Sequence, residues 1–431
     1  MNRIVLSAVL LLLLMLFLTR IDFGGDGHVM AESMMALGFT LVVAYLAGKM
    51  IERFRLPKIT GYLIAGILIG PYFLNLLSVE VVKNLQLIDN IALSLIALTA
   101  GGEFRFSAIK KQLRLINSAI FWQIIIVIIL FTLFILGYYK RISFLQNESF
   151  LVILGAGLLF GALSIAKSPA TTIAVISETR AKGPFTDFVL GVTVFKDVVV
   201  VIIFSIIIAL GKPLILQQEQ IQLFYVLNVL IEIVISMIFG FAAGGIILLY
   251  LKYIKEQKVL FLLGFIIFSI ELSRMFHLEV ILVFMVAGIF VQNFSHAGRP
   301  LIEAIEEVSL PIFVTFFAIA GASLKLPVFL ENWKLALYLV TLRLLGTYLG
   351  TNIAGKTTGS GRQIEKYGWM GFVGQAGLTL GLATLTLKEI PGPIGIGIST
   401  LIISSITINQ IIGPALFKFS LQKSGEIRSS K

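Results

Sequence analysis

The chain has 431 residues, 58% of them hydrophobic and 13% charged, with a mean hydropathy of +0.99. No soluble domain of that size needs so much apolar surface, so the bilayer is its solvent. The net charge of +11 then reads as Lys and Arg retained in cytoplasmic loops rather than as a nucleic-acid surface, and the absence of cysteine excludes disulfides, thiolate metal sites and thiol nucleophiles.

Apolar runs of roughly 20 residues bounded by charge or Gly/Pro mark membrane helices. Fourteen occur, over 4–20, 31–50, 59–77, 85–103, 115–138, 149–179, 184–209, 221–250, 257–274, 277–294, 301–323, 333–356, 366–388 and 394–417. The first follows Arg3 and could be a signal anchor, with Val29-Met30-Ala31 faintly resembling a cleavage site. Arg20, Asp22 and Asp26 stand between that site and the apolar run, which favours a retained helix. With an even number of helices both termini share one side. Twenty-two of the 34 basic residues fall on that side, nine on the other, and Lys167, Lys196 and Arg343 fall inside helices. The bias puts both termini in the cytoplasm.

Two segments return later in the chain. "LIAGILIG" (63–70) is echoed by "MVAGIFVQ" (285–292), and "LIALTAGGEF" (95–104) by "FFAIAGASLK" (316–325). The reading that follows is an all-α polytopic membrane protein of two six-helix inverted repeats. An extra N-terminal helix (1–30) precedes a first repeat (31–209), a linking helix (210–256), a second repeat (257–417) and a cytoplasmic tail (418–431). Seven crossings separate equivalent helices, so the halves have opposite topology, the plan of many secondary transporters.

The fifth helix of each half is interrupted. In "GALSIAKSPATTIAVISE" (161–178) the run breaks at Lys167-Ser168-Pro169, where Pro169 removes a donor and clashes with the preceding turn. Ser168, Thr171 and Thr172 offer oxygens there. In "GWMGFVGQAGLTLGLATL" (368–385) Gly371, Gly374 and Gly377 loosen the helix around Gln375. Unwound backbone at membrane depth survives only where it is buried or lines a wet cavity, and matched breaks point to a midplane site. Asp197 lies about midway along the helix after the first break. A buried ionisable group is costly, so it is a functional candidate. Lys196 beside it is no ideal partner, because adjacent helical side chains point about 100° apart.

"RLPKITGYLIAGILIGP" (55–71), "LIALTAGGEF", the Ser-Pro break before an aspartate-bearing helix and "LVTLRLLGTYLG" (339–350) together resemble the cation:proton antiporter-2 family, the membrane domain of Kef-type transporters. The resemblance spans about 31–417. It implies a homodimer in which a core bundle, 115–209 and 333–417, moves like an elevator against a dimerisation bundle. It also implies that Asp197 binds Na⁺, K⁺ or H⁺ alternately, and that Arg343 is the basic residue placed before the second break. The sequence departs from the family at Lys196, where Asp, Asn or Gln is common. The nucleotide-binding domain that regulates many Kef-type proteins is not expected here.

The leading expectation is a secondary antiporter of the bacterial inner membrane that exchanges a monovalent cation for protons and serves pH homeostasis. Asp197 carries either species, and Ser168, Thr171 and Thr172 complete an oxygen shell. Lys167, Lys196 and Arg343 modulate the charge, while Gly374, Gln375 and Gly377 form the second break. No cofactor and no resident metal are implied. His28, His277 and His296 form no metal-spaced pair, and no Ser/His/Asp constellation appears, so no enzyme is expected. Lys196 either occupies the cation's place until displaced or turns toward the packed side of the core. The alternatives are an anion transporter or anion-coupled symporter using the three basic residues, and a gated channel. Glu271 and Arg274 read as a local ion pair, Glu103 as a solvated helix end, and Glu232 as either a structural contact or part of a moving interface. "GKTTGSGR" (355–362) lacks the order of a phosphate-binding loop and is a connection.

Overall fold

The computed structural model describes residues 28–85, 87–216, 223–254, 256–295 and 297–427. The expected helix at 4–20 lies outside them, and helix occupies the other thirteen expected places. No strand occurs among the described residues. In chain order the helices begin with α1 (His28–Glu52) and α2 (Lys58–Ile69). Then come α3 (Val79–Leu85), α4 (Leu87–Glu103), α5 (Phe106–Lys110) and α6 (Leu113–Tyr138). The middle of the chain forms α7 (Phe150–Ile165), α8 (Pro169–Thr179), α9 (Pro184–Leu216) and α10 (Leu223–Leu249). After it follow α11 (Lys258–Met275), α12 (Val280–Phe294), α13 (Gly298–Ala322) and α14 (Leu326–Thr358). The last are α15 (Arg362–Tyr367), α16 (Gly377–Glu389) and α17 (Pro393–Lys423). Among the described residues seven helices are long and apolar enough to cross a membrane, or up to nine if each bent pair is one span, and α2 and α12 are shorter apolar helices.

Several expected boundaries move: α9 runs on to Leu216, α14 begins at Leu326 and α17 runs on to Lys423. The helix read as 59–77 stops at Ile69, because Gly70 is extended (φ −67°, ψ 173°) ahead of Pro71, and a residue before proline is pushed out of the helical region. The chain then turns through 71–77 before α3 begins.

The helices pack as two sets. One gathers α1, α2, α4, α10, α12 and α13; the other gathers α6, α7, α9, α14, α16 and α17. The sets meet where α4 touches α8, α9 touches α10 and α17 touches α2. The echoed segments build the tightest crossings of the first set. A side chain on Gly66 would collide with the carbonyl of Ala318, and one on Gly321 with that of Leu63. Likewise Gly101 faces the Met285 carbonyl and Gly288 the Leu98 carbonyl. Small residues let backbones approach in this way where lipid offers no hydrophobic force for association. Each first-half segment thus crosses the echo of the other.

Contacts at helix ends agree with the alternating direction of the chain. Glu178, ending α8, accepts from Lys58 N (2.9 Å) and lies 3.8 Å from Lys418 Nζ. Lys212 and Glu389 pair at 2.9 Å at the opposite end.

Candidate ion-binding site

The two interrupted helices cross at their breaks. Residues 166–168 separate α7 from α8, and residues 373–376 separate a 3₁₀ turn (Gly368–Phe372) from α16, with a 54° bend. Ser168 N donates to Gly374 O across the crossing at 2.9 Å. The approach is close because Gly374 and Gly413 both lack a side chain; a Cβ on Gly413 would lie 2.6 Å from Gly374 Cα. Pro169 acts differently from the sequence expectation. It occupies the first position of α8 with Ser168 as N-cap, where a missing N–H leaves nothing unsatisfied. The interruption therefore precedes the proline, and Ser168 Oγ accepts from Thr171 N at 3.2 Å.

Breaking helices in a membrane exposes carbonyls, and Arg343 of α14 collects them. Its Nε donates to Ser164 O (2.9 Å) and its Nη2 to Ala166 O (3.1 Å), at the end of α7. Nη1 reaches Val373 O (2.7 Å) and Nη2 also reaches Phe372 O (2.9 Å), at the end of the 3₁₀ turn. A buried cation is tolerable only when so satisfied, and here it also meets the negative ends of two half-helices. Gln375 Nε2 donates to Ala166 O (3.1 Å), and Asn409 Nδ2 donates to Gln375 Oε1 (2.7 Å).

The two lysines are buried and likewise held by neutral groups. Lys167 Nζ donates to Thr193 Oγ1 and to Gly371 O (3.3 Å) and lies 4.9 Å from the Phe372 ring centroid. Lys196 Nζ donates to Gln123 Oε1 at 2.7 Å, and Gln123 Nε2 passes the chain on to Thr351 Oγ1 at 2.9 Å. Lys196 thus turns toward α6 and α14, the packed side, and does not occupy a cation's place beside Asp197.

Asp197, on the other face of α9, forms no ion pair among the described residues, and its Oδ1 is buried without a hydrogen-bond partner. It lines a cavity of ≈ 50 Å³ together with Val198, Val201, Leu378 of the first turn of α16, Ile233 of α10, and Glu279, Ile281, Leu282 and Met285. The structure therefore joins Asp197 to the second break through Leu378. Ser168, Thr171 and Thr172 lie at the first break and are not among that lining. Thr172 Oγ1 donates to Ser168 O (3.4 Å), while Thr171 Oγ1 is buried and unpartnered. Gly377 opens α16 without a side-chain cap.

Three residues around this site were not singled out from sequence. Gln123 in α6 and Asn409, beside Gln410 in α17, are amides within apolar helices, and that setting was the available signal. Glu279 stands just outside a helix, where a carboxylate draws no notice. Among the residues weighed as bland, Glu271 and Arg274 do pair at 2.8 Å. Glu103, expected as a solvated helix end, is half-buried and lines a larger cavity, ≈ 680 Å³, with Arg180, Lys182 and Glu306.

A family model described as sodium/hydrogen exchanger, transmembrane, matches residues 38–423. Na(+)/H(+) antiporter NhaS4 of Synechocystis is 24% identical over 86% of this chain and 91% of its own length. The K(+)/H(+) antiporter subunit KhtU of Bacillus subtilis is 22% identical over 89% of this chain and 92% of its own. The solved structure of the sodium proton antiporter MjNhaP1 from Methanocaldococcus jannaschii superposes with a TM-score of 0.69 at 20% identity, covering 92% of this chain and 99% of that one. At that identity the likeness speaks for the fold.

Proposed function

The chain belongs to the sodium/hydrogen exchanger family, and from that premise we propose that it exchanges Na⁺ or K⁺ for protons, with Asp197 holding either species in turn. The observation that carries this reading is a contrast across α9. Lys196 donates to Gln123, whereas Asp197 Oδ1 is buried with no hydrogen-bond partner in a cavity. A carboxylate with one oxygen buried and unpartnered favours a proton or a cation beside that oxygen. Proton and metal ion therefore compete for one group, which is what coupled exchange requires. A single such carboxylate favours one-for-one, electroneutral exchange.

The cavity wall supports an elevator reading. Asp197, Val198, Val201 and Leu378 belong to the set containing α9 and α16, while Ile233 and Glu279–Met285 belong to the set containing α10 and α12. The bundle of α6–α9 and α14–α17 would slide against the other, carrying both breaks and Asp197 with it. Thr171 Oγ1, buried without a partner at the first break, would offer the ion an oxygen, and the N-terminal turns of α8 and α16, the positive ends of two half-helices, would offset the charge of an unoccupied Asp197. The reciprocal glycine crossings of 63–70 with 316–325 and of 95–104 with 285–292 support the inverted repeat. Homodimerisation through the other bundle, and a bacterial inner membrane with both termini cytoplasmic, belong to the same reading.

Anion transport is disfavoured by where the positive charges are bound. Arg343, Lys167 and Lys196 each donate to neutral oxygens, and none lines the Asp197 cavity. The test uses purified protein in liposomes with a pH-sensitive dye inside and an imposed pH gradient, to which Na⁺, K⁺ and Li⁺ are added as chloride and as gluconate. Dequenching that follows the cation whatever the anion is expected, and it disappears in Asp197→Asn with folding retained. Dequenching that follows the anion, or exchange that survives Asp197→Asn, would refute the assignment.

A further inference from the structure

The carboxylate opposite Asp197 has no structural employment. Glu279 occupies the N-cap position of α12, where an acidic side chain ordinarily serves the helix's free N–H groups, yet its carboxylate caps nothing. Its backbone is fixed instead. Glu279 N donates to Ser236 Oγ (3.0 Å), and Ser236 Oγ donates to Glu232 O (2.7 Å), so α10 clamps the start of α12. The Glu279 side chain is exposed and forms no ion pair among the described residues, and it lines the same cavity as Asp197. Glu232, one turn before Ser236, is exposed as well and lies within Coulombic range of Glu279. The rest of that cavity wall is aliphatic.

We propose that Glu279 is an entry ligand for the transported cation, at the mouth of the cavity that leads to Asp197. The inference rests on the function proposed above and adds to it a second residue and a direction. The cavity runs between an exposed carboxylate at its mouth and Asp197 Oδ1, which is buried and unpaired inside it. A cation leaving water for an aliphatic passage loses hydration, and a carboxylate at the entrance offsets part of that loss and raises the local cation concentration. Asp197 and Glu279 belong to different helix sets. When the set carrying Asp197 slides away, Glu279 stays behind. It therefore assists loading from one face only, the face where Lys212, Arg274 and Glu389 lie.

The experiment compares exchange in right-side-out and inside-out vesicles from a host lacking its own antiporters, titrating Na⁺ and K⁺ as chlorides. In Glu279→Gln the KM from the Lys212 face should rise about three- to tenfold, the size expected for one unit charge in a largely aqueous mouth. The maximum rate and the KM from the opposite face should stay as in the wild type. Glu279→Asp should restore most of the affinity, and Glu279→Gln should melt at the wild-type temperature. Unchanged KM on both faces overturns the proposal. Equal changes on both faces also overturn it, since they would mean that Glu279 acts through the packing of α12 on α10. Asp197→Asn in the same vesicles separates the two readings: if it still exchanges cations, the function of the preceding subsection fails, whatever Glu279 does.

Discussion

The two faces of α9 treat charge in opposite ways. Toward α6 and α14, Lys196 donates to Gln123, and nearby Lys167 and Arg343 donate to Thr193 and to backbone carbonyls. Toward α10 and α12, Asp197 and Glu279 face a cavity without partners. All three cations are almost fully buried, yet Arg343 and Lys167 reach carbonyls left at the broken helices and Lys196 reaches the Gln123 amide. Burial of a charge is thus a poor guide to its role in this molecule, and the state of its partners is a better one. A charge with hydrogen-bond partners serves the packing around the break, and a buried oxygen with none is available to cargo.

The largest effect that can break this comparison comes from Arg343→Ala. Three carbonyls would lose their donor, Ala166 O keeping that of Gln375, and each unpaired buried acceptor costs about 1–3 kcal/mol. The sum approaches the whole stability of an ordinary domain, about 5–15 kcal/mol, so no monodisperse protein is expected on gel filtration in detergent. Arg343→Lys should fare little better, because an ammonium cannot span two helix ends as a planar fork does. A well-folded alanine variant would show that the breaks are held by something else. Next in size is Gly413→Ala, whose Cβ would press on the backbone of Gly374 at 2.6 Å. Overpacking of this kind costs about 1–3 kcal/mol, and a melting curve should show the loss, with exchange weakened as the crossing shifts.

Lys196→Met sharpens the comparison further. The substitution leaves Gln123 Oε1 without its donor, so the single variant should lose about 1–3 kcal/mol. Lys196→Met with Gln123→Leu should recover most of that loss, since removing both partners of a buried polar pair is often near neutral. Exchange should persist in the double variant. If it vanishes while the protein stays folded, Lys196 belongs to the ion path and the division between the two faces fails.

Much of this was legible in the sequence because a membrane makes polarity conspicuous. Asp197 stood out in an apolar run, the Ser-Pro and Gly-rich breaks marked the crossing, and the echoed glycine segments marked helices that touch. Direction was not legible. Adjacent helical residues diverge by about 100°, so the sequence separates Lys196 from Asp197 without saying which faces the cavity. That depends on Gln123, more than seventy positions away, and on the packing of α14 behind it. The end of α2 at Ile69 was hidden for another reason: the residues after Gly70-Pro71 remain apolar, so hydropathy continues where the backbone turns. Glu279 was overlooked because a carboxylate at a helix start has an ordinary explanation, and only the structure shows that it makes no cap.

The smallest expected effect concerns a charge pair that is complete but exposed. Glu271 and Arg274 meet at 2.8 Å near the end of α11, with 63% and 46% of their side chains accessible. If partner saturation alone made a charge structural, Arg274→Gln would weaken the fold as Lys196→Met does. Water supplies the missing partner at an exposed site, and such pairs contribute about 0–0.5 kcal/mol. Arg274→Gln should therefore leave the melting temperature and the exchange rate unchanged. A clear loss of stability would mean that this end of α11 is covered in the assembled protein, by lipid headgroups or by a second copy of the chain. A hydrogen-bonded charge holds the molecule together only where solvent cannot replace the partner, which is why the three buried cations matter and Arg274 does not.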